Sequence, residues 1–292
     1  MFLYRALCLT GLGVALFAAS ATAGTLNIGF EPPTYTAGDI NGQDGWSKTG
    51  NYDAAVSSAA AFAGSQSLRI SNGITSGSFG DQTFTPHLGV PAGESTVPGA
   101  VDTFLSSWYF KSVTGELQDG LGISVSADNG QGARMSWVRM QEDAANGLNL
   151  QFADYSAAAE DWVYTTLATK IDRTTWHRVD MDIYFVDGPT NDVVKVYLDG
   201  YLLITGTTWE DFERRDPALG DGGGLGLTPV NSLLFRAGGG AAPATLGNGF
   251  YVDNVGLTAE SSAIPEPGTW SLLIGAACLL TPLARKRLVR RV

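Results

Sequence analysis

His177-Arg178-Val179-Asp180-Met181-Asp182-Ile183-Tyr184-Phe185 alternates without interruption. Val179, Met181, Ile183 and Phe185 share one parity, and Arg178, Asp180, Asp182 and Tyr184 the other. Side chains of an extended chain point to opposite faces with period 2, so this stretch has one dry face and one wet face. On a helix the same residues would be spread around the whole circumference. The stretch therefore predicts a strand in an antiparallel sheet that is packed on one side and solvated on the other. Val193-Val194-Lys195-Val196-Tyr197-Leu198 follows it, then Asp199-Gly200, then Tyr201-Leu202-Leu203-Ile204. Asp-Gly between two strand-like runs predicts a two-residue hairpin, because both central residues of such a turn need positive φ.

Outward from this hairpin the pattern repeats. Strands are predicted at 26–31, 67–71, 104–111, 121–127, 134–140, 148–153, 232–236 and 250–257, separated by turn residues. No segment keeps a 3.6-residue period between caps. The body, 24–260, reads as all-β, a sandwich of antiparallel sheets.

Two segments outside the body read as targeting signals. In residues 1–23, Arg5 is followed by an apolar run from Ala6 to Ala19 and by Ala21-Thr22-Ala23. A cation, a short greasy core and a small-x-small site make a secretory signal peptide, with cleavage expected between Ala23 and Gly24. At the other end, a linker at 261–269 contains Pro265-Glu266-Pro267, an apolar segment spans 270–284, and 285–292 carries Arg285, Lys286, Arg287, Arg290 and Arg291. As a helix the apolar segment is about 22 Å long at ~1.5 Å per residue, shorter than a bilayer core of roughly 30 Å. The cations behind it hold that end in the cytoplasm.

Pro-Glu-Pro, a short apolar helix and a basic end closely resemble the PEP-CTERM sorting signal of exported bacterial proteins. The resemblance implies recognition of Pro265, Glu266 and Pro267 by an exosortase-type membrane protease. It also implies transient inner-membrane attachment through the helix, then delivery to the cell surface or extracellular matrix of a Gram-negative bacterium.

Both cysteines, Cys8 and Cys278, lie in the segments expected to be removed. The mature body then has neither thiol nor disulfide, which excludes zinc–thiolate chemistry and cysteine nucleophiles. Of the 18 Lys and Arg, Arg5 and the five tail cations fall outside the body, leaving 12; of the 29 Asp and Glu, Glu266 falls outside, leaving 28. A body near −16 argues against nucleic acid as a partner and suits calcium, solubility or neutral glycans.

Trp176-His177-Arg178-Val179 and the hairpin ending Tyr197-Leu198-Asp199-Gly200 resemble the concanavalin A-like or laminin G-like jelly roll, over residues 25–258. That fold hosts lectins, hydrolases, lyases and adhesion modules, so it implies architecture rather than activity. Ile28-Gly29-Phe30-Glu31 and Phe250-Tyr251-Val252-Asp253-Asn254-Val255 resemble the ends of carbohydrate-binding sandwiches whose first and last strands lie side by side. There an acidic side chain from each end helps hold a structural calcium. The resemblance places Glu31 and Asp253 as such ligands; the plain alternative is that both bond loop backbone.

No catalytic constellation is found. The Glu-x-Asp-x-x-Glu strand of jelly-roll glucanases is missing, as is the arginine-rich strand of jelly-roll lyases. Asp180 and Asp182 alternate on one face, but no third acid falls in register. His87 and His177 have no Ser-x-Gly elbow or His-x-His partner. The glycine runs at 222–226 and 238–240 lack Gly-Lys-Ser/Thr and a following helix, so they are not phosphate loops. Sugars stack on flat rings, and Trp46 and Trp209, beside turn or acidic residues, are the expected glycan platforms. Trp108 and Trp137, within strands, are assigned to the core. The expected function is a non-catalytic surface or matrix protein associating with polysaccharide in biofilm. The alternatives are a secreted glycan hydrolase or lyase, or a purely structural matrix protein. No cofactor is expected apart from calcium.

Overall fold

Asp199 and Gly200 both take positive φ, 52° and 82°, and they join two antiparallel strands that pair from Leu198–Tyr201 outward. In the computed structural model, residues 24–76, 81–97, 99–156, 158–214, 228–237 and 240–261 are described. Ala21 and Ala23, the motif Pro265-Glu266-Pro267, the apolar segment 270–284, the basic tail and the 222–226 glycine run lie outside the described residues.

The strands are β1 (Gly24–Ile28), β2 (Gly38–Asp39), β3 (Ser47–Lys48), β4 (Ala54–Ser57), β5 (Ser67–Ile70), β6 (Gln82–Phe84), β7 (Thr103–Ser112) and β8 (Gly122–Asp128). They continue as β9 (Val138–Asp143), β10 (Gly147–Ser156), β11 (Asp161–Ala168), β12 (His177–Tyr184), β13 (Val193–Leu198), β14 (Tyr201–Gly206), β15 (Ser232–Ala237) and β16 (Phe250–Glu260). Among the described residues, helix is confined to one α-turn, α1 (Glu210–Glu213), and one 3-10 turn at Pro243–Thr245.

Two antiparallel sheets form the jelly-roll sandwich. The nine-stranded sheet runs β14-β13-β12-β7-β16-β5-β4-β2, with β1 also paired to β16; the seven-stranded sheet runs β11-β10-β9-β8-β15-β6-β3. Val179, Met181, Ile183 and Phe185 are all buried between the sheets, as their parity requires. They meet Val125, Val138, Phe152 and Phe235 from the seven-stranded sheet in one core cluster. The expected side-by-side placement of the first and last strands is found: β1 pairs β16 from Gly24–Ala259 to Ile28–Val255.

Five strands are not expected from the sequence: β2, β3, β4, β6 and β11; β4 alternates in burial but has only four residues. β6 is buried on both sides, and β11 is an edge strand wet along most of its length, so neither shows a clean alternation. β2 and β3 have two residues each, too short for a period. The strand expected at 134–140 begins at Val138 instead. Ahead of it, Arg134 bridges to Asp128, and the Met135 carbonyl accepts the N–H of Trp209.

A Cβ on Gly200 would have nothing within 4 Å, so substitution there tests backbone conformation alone. Gly200→Ala should destabilise by about 1–2 kcal/mol, the cost of a left-handed L-residue. Denaturant unfolding followed by tryptophan fluorescence checks this; an unchanged midpoint would contradict the turn.

Candidate functional site on the outer face of the seven-stranded sheet

Neither expected glycan platform is available. Trp46 is 1% exposed. Its ring lies 5.6 Å from Phe30 and 6.0 Å from Phe235, and its Nε1 donates to the Tyr35 hydroxyl at 3.3 Å. Trp209 is 8% exposed; it meets Trp162 at 4.3 Å and donates from Nε1 to the Ala153 carbonyl at 3.0 Å. The neighbouring turn and acidic residues suggested exposure, but both rings fill gaps beneath those turns.

The exposed aromatic surface lies elsewhere. Residues directly opposite in an antiparallel ladder share a face. Gln82 faces Arg236, Arg236 faces Ser124, Ser124 faces Arg139, Arg139 faces Gln151, and Gln151 faces Thr166. This polar row crosses six strands on the outer face. In the adjacent row Phe84 faces Leu234, Leu234 faces Ser126, and Ala153 faces Tyr164, with the Trp137 carbonyl taking the Ala153 N–H. Trp137 precedes Arg139 by two residues and is half-buried on this face, not in the core. Tyr164 is 62% exposed. The two rings meet edge to face at 5.6 Å, and the Arg139 guanidinium lies 5.8 Å from the Trp137 ring centre, within cation–π range.

Arg139 lies flat because β8 leaves room for it. A Cβ on Gly122 would come 2.5 Å from Arg139 Nη2. No carboxylate pairs with Arg139 among the described residues, and its buried Nε has no hydrogen-bond acceptor. Burial and the nearby charge of Arg236 both lower its pKa. Burial and Arg236 likewise bring Arg134 down to about 10. Arginine remains protonated at neutral pH under such shifts, whose larger cause is burial and whose second is Arg236. Asp128 and Glu213 offset Arg134, and Asp81 offsets Arg236. Neither of these two rows contains a carboxylate; Asp128 of β8 and Asp143 of β9 share the outward parity beyond them.

Glu31 and Asp253 do come to one loop, as acceptors. Asp253 Oδ2 takes the N–H groups of Phe62 at 2.7 Å and Ala63 at 3.2 Å, and Oδ1 takes that of Asn254 at 2.8 Å. Glu31 Oε1 takes the N–H groups of Ser65 and Gln66 at 2.8 and 2.9 Å, and Oε2 the Ser65 hydroxyl at 2.7 Å. The Ser65 and Gln66 bonds hold the Glu31 pKa below its ordinary value, whereas burial raises that of Asp253. Backbone and hydroxyl donors thus engage both carboxylates, the plain alternative named for them.

A second acidic group lies at one end of the sandwich. Carboxylate oxygens of Glu94, Asp192 and Glu210 fall within 4.8 Å of one another. Arg214 already supplies a cation there: it donates from Nη2 to Glu94, and its Nε is 3.6 Å from Glu210 Oε2. Glu210 Oε1 takes the N–H groups of Asn191 and Asp192 at 2.7 and 2.9 Å, while Asp192 accepts from Val186 N–H at 2.7 Å and the Thr208 hydroxyl at 2.5 Å. Asp180 and Asp182 are on the outer face of the nine-stranded sheet. Asp180 pairs with Arg178 at 2.5 Å; burial and the charge of Asp180 push Asp182 up to about 6. His177 serves the hairpin, with Nδ1 2.7 Å from Asp199 Oδ2.

No protein-family model matches the chain, and no curated protein matches it. Three solved structures are similar to it at low scores. A β-glucanase of Bacillus licheniformis is 15% identical with a TM-score of 0.40, covering 82% of this chain and 98% of that one. The apo Crh5 transglycosylase is 16% identical at 0.41, covering 83% and 86%. The cellulose induced protein Cip1 is 12% identical at 0.38, covering 76% and 96%. Similarity at this level carries no argument about activity.

Burial, reinforced by Glu210 and Glu94, raises Asp192 to about 7. The folded chain thus holds a proton that the unfolded chain, with a carboxyl near 4, releases. The stability this gives is full below about pH 4 and is lost as pH rises toward 7. Asp192→Asn should therefore be more stable relative to the parent at pH 8 than at pH 5. Melting curves at the two pH values check it; the same difference at both would refute the raised pKa.

Proposed function

We propose that the protein is an exported, exosortase-sorted, non-catalytic component of the cell surface or extracellular matrix of a Gram-negative bacterium, and that its sandwich associates with polysaccharide. The observation that carries the binding part is the half-buried Trp137 and exposed Tyr164 beside Arg139 on the outer face of the seven-stranded sheet. Flat rings cover the apolar faces of sugars, and the neighbouring Gln151, Thr166 and Arg139 supply hydrogen bonds to hydroxyls. The two rows that cross this face contain no pair of acids, which supports binding without hydrolysis. The sorting part rests on Pro265-Glu266-Pro267, the short apolar segment and the basic end.

The binding part is tested by retention of the purified protein on a panel of bacterial exopolysaccharides, with calcium and with chelator. Retention on at least one polymer is expected in both buffers. Tyr164→Ala should weaken it by about fivefold or more, the worth of one aromatic contact, with no change in melting temperature. Release of reducing ends or unsaturated sugars would overturn the non-catalytic reading, and no retention on any polymer would leave a purely structural matrix protein.

The sorting part is tested by the intact mass of the protein recovered from the surface of a host that carries an exosortase. The expected chain starts at Gly24 and lacks the apolar segment 270–284. A mass that still includes residues 270–292 would contradict sorting by cleavage.

A further inference from the structure

Arg139, on the outer face of the seven-stranded sheet, departs from the other described arginines in its charge pairing. Elsewhere among the described residues the arginines are neutralised locally: Arg69 by Asp53 at 2.5 Å, Arg173 by Glu142 at 2.7 Å, Arg178 by Asp180 at 2.5 Å, and Arg214 by Glu94. On this face Arg139 has no carboxylate partner among the described residues and has a buried Nε without an acceptor. Arg236 stands across Ser124 from it. A buried N–H without an acceptor is costly, because it has lost water and gained nothing in exchange, so the half-buried Arg139 is held at a cost through its Nε.

The pieces around Arg139 narrow the class of anion. Its planar fork binds a carboxylate through two parallel bonds. Trp137 and Tyr164 stand on one side of it, ready for a flat, partly apolar body. Gln151 flanks it along the row with a neutral polar group suited to hydroxyls, while Ser124 on its other side is buried and faces the Arg236 carbonyl. An acid group, an apolar ring face and several hydroxyls within one sugar's reach describe a uronic acid residue.

We propose that this face takes an acidic polysaccharide, with the carboxylate of a uronic acid residue on Arg139 and its sugar ring against Trp137 and Tyr164. The proposal rests on the glycan-binding reading above and adds to it the class of glycan.

The test compares a polyuronate with the same polymer after its carboxyl groups have been reduced to primary alcohols. This removes the charge and keeps the sugar backbone. Binding of the purified protein to each is measured by titration calorimetry, alongside Arg139→Gln and Arg139→Lys. The polyuronate should bind at least about tenfold more tightly than its reduced form, as expected for a bidentate charged contact. Arg139→Gln should abolish that preference, Arg139→Lys should restore part of it, and Tyr164→Ala should weaken both polymers alike. If Arg139→Gln fails to fold, the two polymers still decide the matter on the parent protein. Equal binding of both polymers, lost together in Tyr164→Ala, would overturn the acidic assignment and keep the glycan reading. Binding of neither polymer, and of no other glycan, would overturn both.

Discussion

β16 is hydrogen-bonded to β7 on one edge from Phe250 to Glu260, while its other edge serves β5 with its first residues and β1 with its later ones. The change of partner falls at a bulge between Asp253 and Gly256, where Asn254 takes a φ of 45°. A bulge adds a residue to one strand and increases its twist, which lets one strand close the sheet against two separate segments. The acids at this junction hold the closure in place. Asp253, inside the bulge, and Glu31, just beyond β1, grip the loop at 62–66 through its N–H groups. Phe62 is thereby laid on Tyr109 of β7 at 3.7 Å. Residues 24–28 meet residues 255–259, so this pairing closes almost the whole body, and its loop entropy is recovered only when the intervening strands are ordered.

Much of this was legible in the sequence, and what was legible follows a physical rule. β12 has one face in the core and one in water, so its alternation is complete and its residues fall where parity puts them. The hairpin after β13 was legible because the turn needs positive φ and Asp-Gly supplies it. The adjacency of the ends was inferred from two short motifs by resemblance, and the ladder between β1 and β16 matches it. Two of the missed strands are ones for which burial does not alternate, whereas β4 alternates but is only four residues long. β6 is dry on both faces and β11 wet on most of its length, and a pattern read from contrast is blind to both.

The rings of the face proposed for binding were missed through residue type. Trp137 was assigned to the core because it lies in a strand, yet it shares the parity of Arg139 and Gln141, while Val138 and Met140 share the buried one. Parity alone would have placed the ring outside. Trp46 and Trp209 were judged from their neighbours, and turn residues beside a large ring say little about the ring. A loop crossing the end of a sandwich needs apolar ballast beneath it, and tryptophan supplies that while its N–H finds one acceptor. Trp46 finds the Tyr35 hydroxyl and Trp209 the Ala153 carbonyl.

Net charge misleads for a related reason. A body near −16 reads as arguing against nucleic acid and as suiting calcium, solubility or neutral glycans. Charge summed over a surface acts at long range, and at physiological ionic strength it is screened beyond about 8 Å. Contact with a ligand is decided inside that distance. There the outer face of the seven-stranded sheet presents Arg139 over Gly122, with Arg236 one strand beyond Ser124. The acids that dominate the total are engaged elsewhere: Asp53 with Arg69, Glu142 with Arg173, Glu31 and Asp253 with the 62–66 loop. Acidity in the rest of the chain also has a use on this reading. It keeps copies of the protein apart, and it leaves the proposed binding of an acidic glycan to the local contact of one carboxylate with the Arg139 guanidinium and the rings beside it.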